Sequence, residues 1–222
     1  VAALELLLRR CPASEALAHQ RNLGLLCACE QGKLQCARLL LTAGANAGAR
    51  IPEQMDMPIL VLACQNGQLE CATLLLKYDA DLDAAGVSGT PLVVACQQGH
   101  VELARMLLAE GAVVDSSRAD GVSGLIAACA TGHLECVQLC SAYEALRILP
   151  RIAEGESDGY WDAVDTAEHH GHPHIATWLQ RTAGWSPLHH LEQMDGMRAE
   201  ALLRSGACVH VPANDGDCDQ GA

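Results

Sequence analysis

The chain has 222 residues, half of them apolar, and a formal net charge of −13. A chain of this length and composition can bury a continuous core as one domain, and its charge argues against a nucleic-acid ligand, which needs clustered Lys and Arg. No apolar run approaches the roughly 18 residues that span a bilayer, so we expect no membrane segment. The charge favours a partner with a basic surface or simply serves solubility.

Short apolar segments alternate with glycine turns along the chain. Near the N-terminus, Leu4 to Leu8 has the pattern of the second helix of a unit whose first half is missing, and because the chain begins at Val1 we expect it to be part of a longer protein. Four similar blocks follow, ACEQGKLQCARLLL, ACQNGQLECATLLL, ACQQGHVELARMLL and ACATGHLECVQLC, around Gly32, Gly67, Gly99 and Gly132. Self-similarity with a period of about 33 residues is typical of a helical repeat array.

The unit that begins at Thr90 has the clearest local signals. Thr90 is a candidate N-cap, and Pro91 occupies the first helical position, where its missing N–H costs nothing. Gly99 ends this helix by allowing a tight reversal, and Gly111 closes a second helix that directs Leu107 inward. Helices of about two turns are too short to be stable alone, so each unit must bury its apolar face against its neighbours.

This unit, TPLVVACQQGHVELARMLLAEGA, resembles the ankyrin repeat, whose pattern combines a Thr-Pro-Leu-His-like opening, a Gly-His turn, a Leu pair and a closing Gly-Ala. The resemblance implies an all-α ankyrin-repeat solenoid of about six repeats with short β-hairpin-like finger loops. It also implies that the function is protein–protein recognition through the concave face and the finger loops.

We predict an ankyrin-repeat domain over residues 1–210, followed by an acidic tail, 211–222, that we expect to be disordered. The expected units are a truncated repeat (1–20), four repeats (21–52, 53–85, 86–118 and 119–143), an insertion (144–160) and two degenerate repeats (161–183 and 184–210). The insertion follows from the gap between Gly132 and Gly171, which is about six residues longer than the period. Insertions in repeat arrays commonly fall on the binding face.

Twelve cysteines at first suggest a disulfide or metal framework. Most of them, however, fill two repeated positions: Cys29, Cys64, Cys96 and Cys129 the first, and Cys36, Cys71 and Cys136 the second. The third unit has Leu103 at the second position, and a position that alternates Cys with Leu is a packing site. Equivalent positions of stacked helices lie about 10 Å apart, too far for a disulfide. We therefore expect buried free thiols and a reducing compartment, cytoplasmic or nuclear.

Six histidines concentrate between residues 169 and 190, and paired histidines near a tight turn could ligate zinc or copper. His172 and His189 are better explained by the repeat, because they match the Gly-His turn and the Pro-Leu-His opening. Ser186 is the expected helix cap and has no oxyanion turn beside it. We expect no metal, no cofactor and no catalytic residue.

The predicted interaction surface combines polar residues just before the turn glycines with residues of the finger loops and two aromatic residues after the insertion. Its members are Glu30, Gln65, Gln97, Arg50, Asp83, Asp115, Arg118, Asp120, Tyr160 and Trp161. Exposed aromatic side chains would suit an interaction hot spot; the alternative is that Tyr160 and Trp161 pack within a degenerate repeat. We expect charge reversal at Asp83, Asp115 and Asp120 to weaken capture of a basic partner without lowering the melting temperature.

The sequence thus predicts a non-enzymatic, monomeric scaffold that binds a protein partner. An alternative is that the array is the substrate-targeting module of a larger enzyme, such as a ubiquitin-ligase receptor or a kinase, whose catalytic part lies outside this chain. A histidine-rich metal-binding protein is the third hypothesis.

Overall fold

The computed structural model describes residues 15–51, 55–145, 148–150 and 160–183, together with Glu200, Leu202 and Arg204. Between residues 15 and 183 the chain alternates a first helix, a glycine turn and a second helix. In chain order the helices are α1 (Glu15–Glu30), α2 (Leu34–Thr42), α3 (Ile59–Gln65), α4 (Leu69–Lys77), α5 (Pro91–Gln97), α6 (Val101–Ala109), α7 (Gly124–Thr131), α8 (Leu134–Ala142), α9 (Ala163–His169) and α10 (Pro173–Arg181).

The capping signals of the third unit act as the sequence indicates. The Oγ1 of Thr90 accepts a hydrogen bond from the backbone N–H of Val93 at 3.4 Å, and Pro91 is the first helical residue of α5. Ser123 caps α7 in the same way, and Asp162 caps α9 by accepting from Val164 and Asp165. A cap satisfies N–H groups that have no partner within the helix, so these three helices begin directly after their capping residues.

Each helix pair stacks on the next. The first helices α1, α3, α5, α7 and α9 contact one another in that order, as do the second helices α2, α4, α6 and α8. Their apolar side chains form one continuous core that extends from Leu25 to Leu179. This confirms the predicted all-α repeat array, in which short helices gain their stability from their neighbours.

A side chain of the following repeat covers each of four turn glycines. A Cβ added at Gly67 would lie within 3.0 Å of the His100 ring, and one added at Gly99 would lie 2.6 Å from the His133 ring. His172 covers Gly132 in the same manner, and Gln68 covers Gly32. The glycines are therefore required by inter-repeat packing as well as by their positive φ angles.

Finger loops connect the repeats, as predicted. In the first finger β1 (Arg50–Ile51) pairs antiparallel with β2 (Met57–Pro58), and in the fourth β3 (Ile148–Pro150) pairs antiparallel with β4 (Tyr160–Asp162). The second and third fingers have single bridges, Gly86 with Gly89 and Ser117 with Ser123. Residues 151–159, within the expected insertion 144–160, lie between β3 and β4 in the sequence and outside the described residues.

Several predictions fall outside the described residues: the helix at Leu4 to Leu8, the tail 211–222, and most of the last repeat, 184–210. In that repeat Glu200, Leu202 and Arg204 are helical, and Leu202 packs against the core. The expected boundary between residues 20 and 21 falls inside α1, which is longer than the other first helices. Within the part of the chain that the structure describes, no helix has the length and apolarity needed to cross a membrane.

Candidate interaction surface

Polar residues end the successive first helices and lie in a row. Glu30, Gln65 and Gln97 are the last residues of α1, α3 and α5. Because these helices stack in order, the three side chains occupy equivalent positions in neighbouring repeats. We call these residues and the ones that follow them, Gln31, Asn66 and Gln98, the helix-end row.

The helix-end row is mostly neutral. Gln31, Gln65, Asn66 and Gln98 are exposed, and Glu30 is a half-buried carboxylate. Glu30 is the one charged residue among the six of the row, so the row itself does not call for a partner with a basic surface. Amide side chains both donate and accept hydrogen bonds, so the row can recognise polar groups of either kind without needing an opposite charge.

Charged residues of the first finger form hydrogen bonds with other residues of the chain. Arg50 donates through Nε to Asp56 Oδ2 at 2.8 Å and through Nη2 to the Ala85 carbonyl oxygen at 2.9 Å. Since Ala85 belongs to the second finger, Arg50 links two neighbouring fingers. Exposed ion pairs contribute little stability, but this pair fixes where the Arg50 guanidinium lies.

The third finger has a similar pair. The Arg118 guanidinium bonds to the carboxylate of Asp120, and Asp120 Oδ1 also accepts from the Val122 N–H at 3.2 Å. The hydrogen bond from Arg118 lowers the pKa of Asp120 below its ordinary value of 3.8. The aliphatic part of Arg118 lies against Gly89 of the second finger, where an added Cβ would be 3.2 Å from Arg118 Cγ. Both residues therefore shape the fingers.

Asp83 also has a structural partner. Its Oδ1 accepts a hydrogen bond from the backbone N–H of Val113, 30 residues along the chain, at 3.1 Å. Charge reversal at Asp83 or Asp120 removes such bonds, so the expected unchanged melting temperature does not stand for these two positions. Asp115 is half-buried in the third finger.

Two apolar side chains in the fingers were missed by the sequence analysis. Met55 of the first finger is 73% exposed, and Val87, in the turn of the second finger, is 65% exposed. The fingers are adjacent, because an added Cβ at Gly86 would lie 3.1 Å from Met57 Cγ. Both residues lie at the centre of a turn, where polar residues predominate. An apolar residue at such a position is the sequence feature that could have identified them as exposed.

Tyr160 and Trp161 lie in β4, where they pair with Pro150 and Leu149. Their side chains lie outside the described part of the structure. The interaction hot spot expected at this place stays a prediction.

The histidines of the fifth repeat form two separate pairs instead of one cluster. The rings of His169 and His170 have centroids 5.3 Å apart, and those of His172 and His174 are 6.1 Å apart. His170 Nδ1 lies 2.8 Å from the Thr166 carbonyl oxygen. Across the described ranges, no group of three His, Cys, Asp or Glu side chains is arranged to hold a metal ion.

Of the cysteines at the two repeated positions, all but the half-buried Cys36 are buried as expected, and some of them contact each other. The Sγ atoms of Cys96 and Cys140 are 3.6 Å apart. A thiol hydrogen bond also joins Cys96 to Cys136, and another joins Cys29 to Cys71. The sequence analysis compared equivalent positions of neighbouring repeats and missed these contacts, because they join a first helix to the second helix of the next repeat.

An open, largely apolar groove of about 330 Å³ lies beside α10. Its lining includes Leu134, His174, Thr177 and Trp178. Trp178 occupies the repeat position of Met106, and both side chains pack partly buried against the core.

Comparison with known proteins agrees with this architecture. A family profile described as ankyrin repeats (3 copies) matches residues 2–86 and 92–217. The search of curated proteins found no match. Together the profile matches cover well over half of the chain, and ankyrin repeats are generally protein–protein interaction modules. The chain belongs to the ankyrin-repeat family.

Proposed function

We propose that the chain is a non-enzymatic scaffold that binds a protein partner through the helix-end row and the adjoining fingers. The observation that supports this most is the row itself: four amide side chains at the ends of successive stacked first helices are exposed. A rigid array loses little conformational entropy on binding, and the finger contacts through Arg50, Asp83 and Arg118 hold the neighbouring loops in place.

The proposed partner offers polar groups to the amides and an apolar group to Met55 and Val87. The proposal does not require a strongly basic partner, since Asp56 and Asp120 are each paired with an arginine of the same finger. The formal charge of −13 supports the proposal that nucleic acid is not the ligand. We also propose that the protein is a monomer and that it resides in the cytoplasm or nucleus, where buried thiols stay reduced.

The test is affinity capture from the native source with matched variants. Gln65→Arg combined with Gln98→Arg places two bulky cations in the row, and we expect it to reduce capture of the main partner at least about tenfold. Gln35→Arg, at an exposed position of α2, is the matched control and should retain capture. Melting temperatures of all three proteins should agree.

Equal capture by the double variant and the control would contradict the proposed surface. The targeting-module alternative makes a different prediction: a catalytic domain elsewhere in the full-length reading frame. A partner that is modified only when such a domain is present would favour that alternative.

A further inference from the structure

Three thiols meet at the junction of the third and fourth described helix pairs. Cys96 lies on α5, and Cys136 and Cys140 lie four residues apart on α8, so both face the same direction. All three residues are fully buried, at 0% exposure. The Sγ atoms of Cys96 and Cys140 are separated by 3.6 Å, whereas a disulfide needs about 2.05 Å. A movement of roughly 1.5 Å would bring them to bonding distance.

Comparison of equivalent positions in the repeats shows how this junction differs from the others. A cysteine occupies the same first-helix position in four repeats, and it faces two positions on the second helix of the next repeat. In chain order those two positions hold Cys71 and Leu75, Leu103 and Leu107, Cys136 and Cys140, and Ile175 and Leu179. Cys96 is thus the member of the series that the sequence places opposite two thiols.

We propose that Cys96 and α8 form an oxidisable dithiol site that crosslinks two neighbouring repeats. The chemical class of the oxidant is a peroxide. A thiolate of the cluster attacks one peroxide oxygen, the O–O bond breaks, and the cysteine becomes a sulfenic acid while hydroxide leaves and takes up a proton as water. The neighbouring thiol then attacks that sulfur, the S–O bond breaks, and a second water leaves. Two thiols and one peroxide thus give one disulfide and two waters.

The sulfur environment supports this order of events. The hydrogen bond from Cys96 lowers the pKa of Cys136, while the bonds to Cys136 and Cys140, together with burial, raise the pKa of Cys96. Cys136 is therefore the first nucleophile, Cys96 the thiol that condenses with it, and Cys140 a third thiol within exchange distance of Cys96. Hydrogen peroxide is small, and repeat arrays open locally between neighbouring units, so the reagent reaches the cluster when this junction opens.

A crosslink from Cys96 to Cys140, formed directly or by exchange from Cys136, would join residues 44 positions apart in the sequence. It would hold the first helix of one repeat against the second helix of the next and so restrict opening of the array beneath the helix-end row. Closing a loop of this length removes much of the freedom of the unfolded chain. We expect the melting temperature to rise by roughly 5–10 °C on oxidation.

The experiment treats the purified chain with hydrogen peroxide, blocks the remaining thiols, and maps the peptides without reduction. We expect a peptide that links Cys96 to Cys140 or to Cys136, a rise in the melting temperature, and reversal of both by dithiothreitol. The double variant Cys136→Ala with Cys140→Ala should lose the link and the rise. Cys64→Ala should keep both, because Cys64 occupies the equivalent position in another repeat and faces Leu103 and Leu107.

The peptide map of the peroxide-treated wild-type chain tests the proposal even where a variant folds poorly. Cys96 that stays fully reduced while the exposed Cys27 is fully oxidised would overturn the proposal. So would a Cys96 link to a cysteine outside α8, or a temperature rise that persists in the double variant.

Discussion

The turn glycines show how one residue type serves two physical requirements. Gly99 and Gly111 both have positive φ angles, +72° and +98°, which L-residues with a Cβ adopt at a cost. Gly99 is also covered by the His133 ring, whereas nothing lies within 4 Å of an added Cβ at Gly111. The period and the turn role of these glycines were predictable from the sequence. The histidine cover was not, because it depends on the offset between stacked repeats.

These two glycines give a direct test. Gly111→Ala should cost about 1–2 kcal/mol of unfolding free energy, from backbone strain alone. Gly99→Ala should cost roughly 1–2 kcal/mol more, because the new methyl group also displaces the His133 ring. Urea denaturation of the two variants measures the difference. Equal losses would show that the His133 ring can move aside at no cost in free energy. Combining Gly99→Ala with His133→Ala should recover part of the additional loss.

At the scale of the element, the fingers differ from what the sequence suggested. Their aspartates and arginines were predicted as binding residues, yet Arg50 and Asp83 form hydrogen bonds between fingers, and Asp120 forms hydrogen bonds within its own finger. The exposed groups include Met55 and Val87 instead. A charged residue in a loop can bind a partner or satisfy the backbone, and sequence alone does not distinguish these two uses.

The Asp120 pair makes the stability depend on pH. Because Arg118 lowers the pKa of Asp120 in the folded state, the pair stabilises the fold fully above the ordinary value of 3.8. This contribution is lost as the pH falls below 3.8 and through the lowered folded value. Asp120→Asn should cost about 0.5–1 kcal/mol at pH 7, since the pair is partly exposed, and should flatten the dependence of unfolding free energy on pH below 4.

Chemical denaturation between pH 2.5 and 7 measures both quantities. Arg118→Met should flatten the acid region in the same way, because the shift comes from the pair. A wild-type slope retained in both variants would show that other groups cause the acid dependence.

At the scale of the whole molecule, stability is distributed along the stack. Leu107 of α6 is fully buried in the middle of the described array, and α6 contacts α4, α5 and α8. Each repeat depends on its neighbours, so damage in a central repeat removes support from both sides.

Leu107→Ala should therefore destabilise the chain by about 2–5 kcal/mol, and amide exchange should accelerate in α4 and α8 as well as in α6. Met106→Ala on the same helix is the control: this half-buried side chain should cost less and leave the neighbouring helices protected. Exchange that accelerates in α6 alone would contradict the proposed coupling between repeats. Hydrogen exchange monitored by mass spectrometry resolves the helices separately.

The amino-acid sequence was enough to predict the repeat period, the cap at Thr90, the turn glycines and the inward face of the second helix of that repeat. These follow from local rules: φ preferences, N-cap chemistry and the 3.6-residue period of a helix. The packed structure was needed to show that Asp83 bonds to Val113 and that Cys96 meets thiols of the next repeat. Such contacts join non-equivalent positions of neighbouring repeats, and the stacking offset that brings them together is a property of the packed array rather than of any one unit.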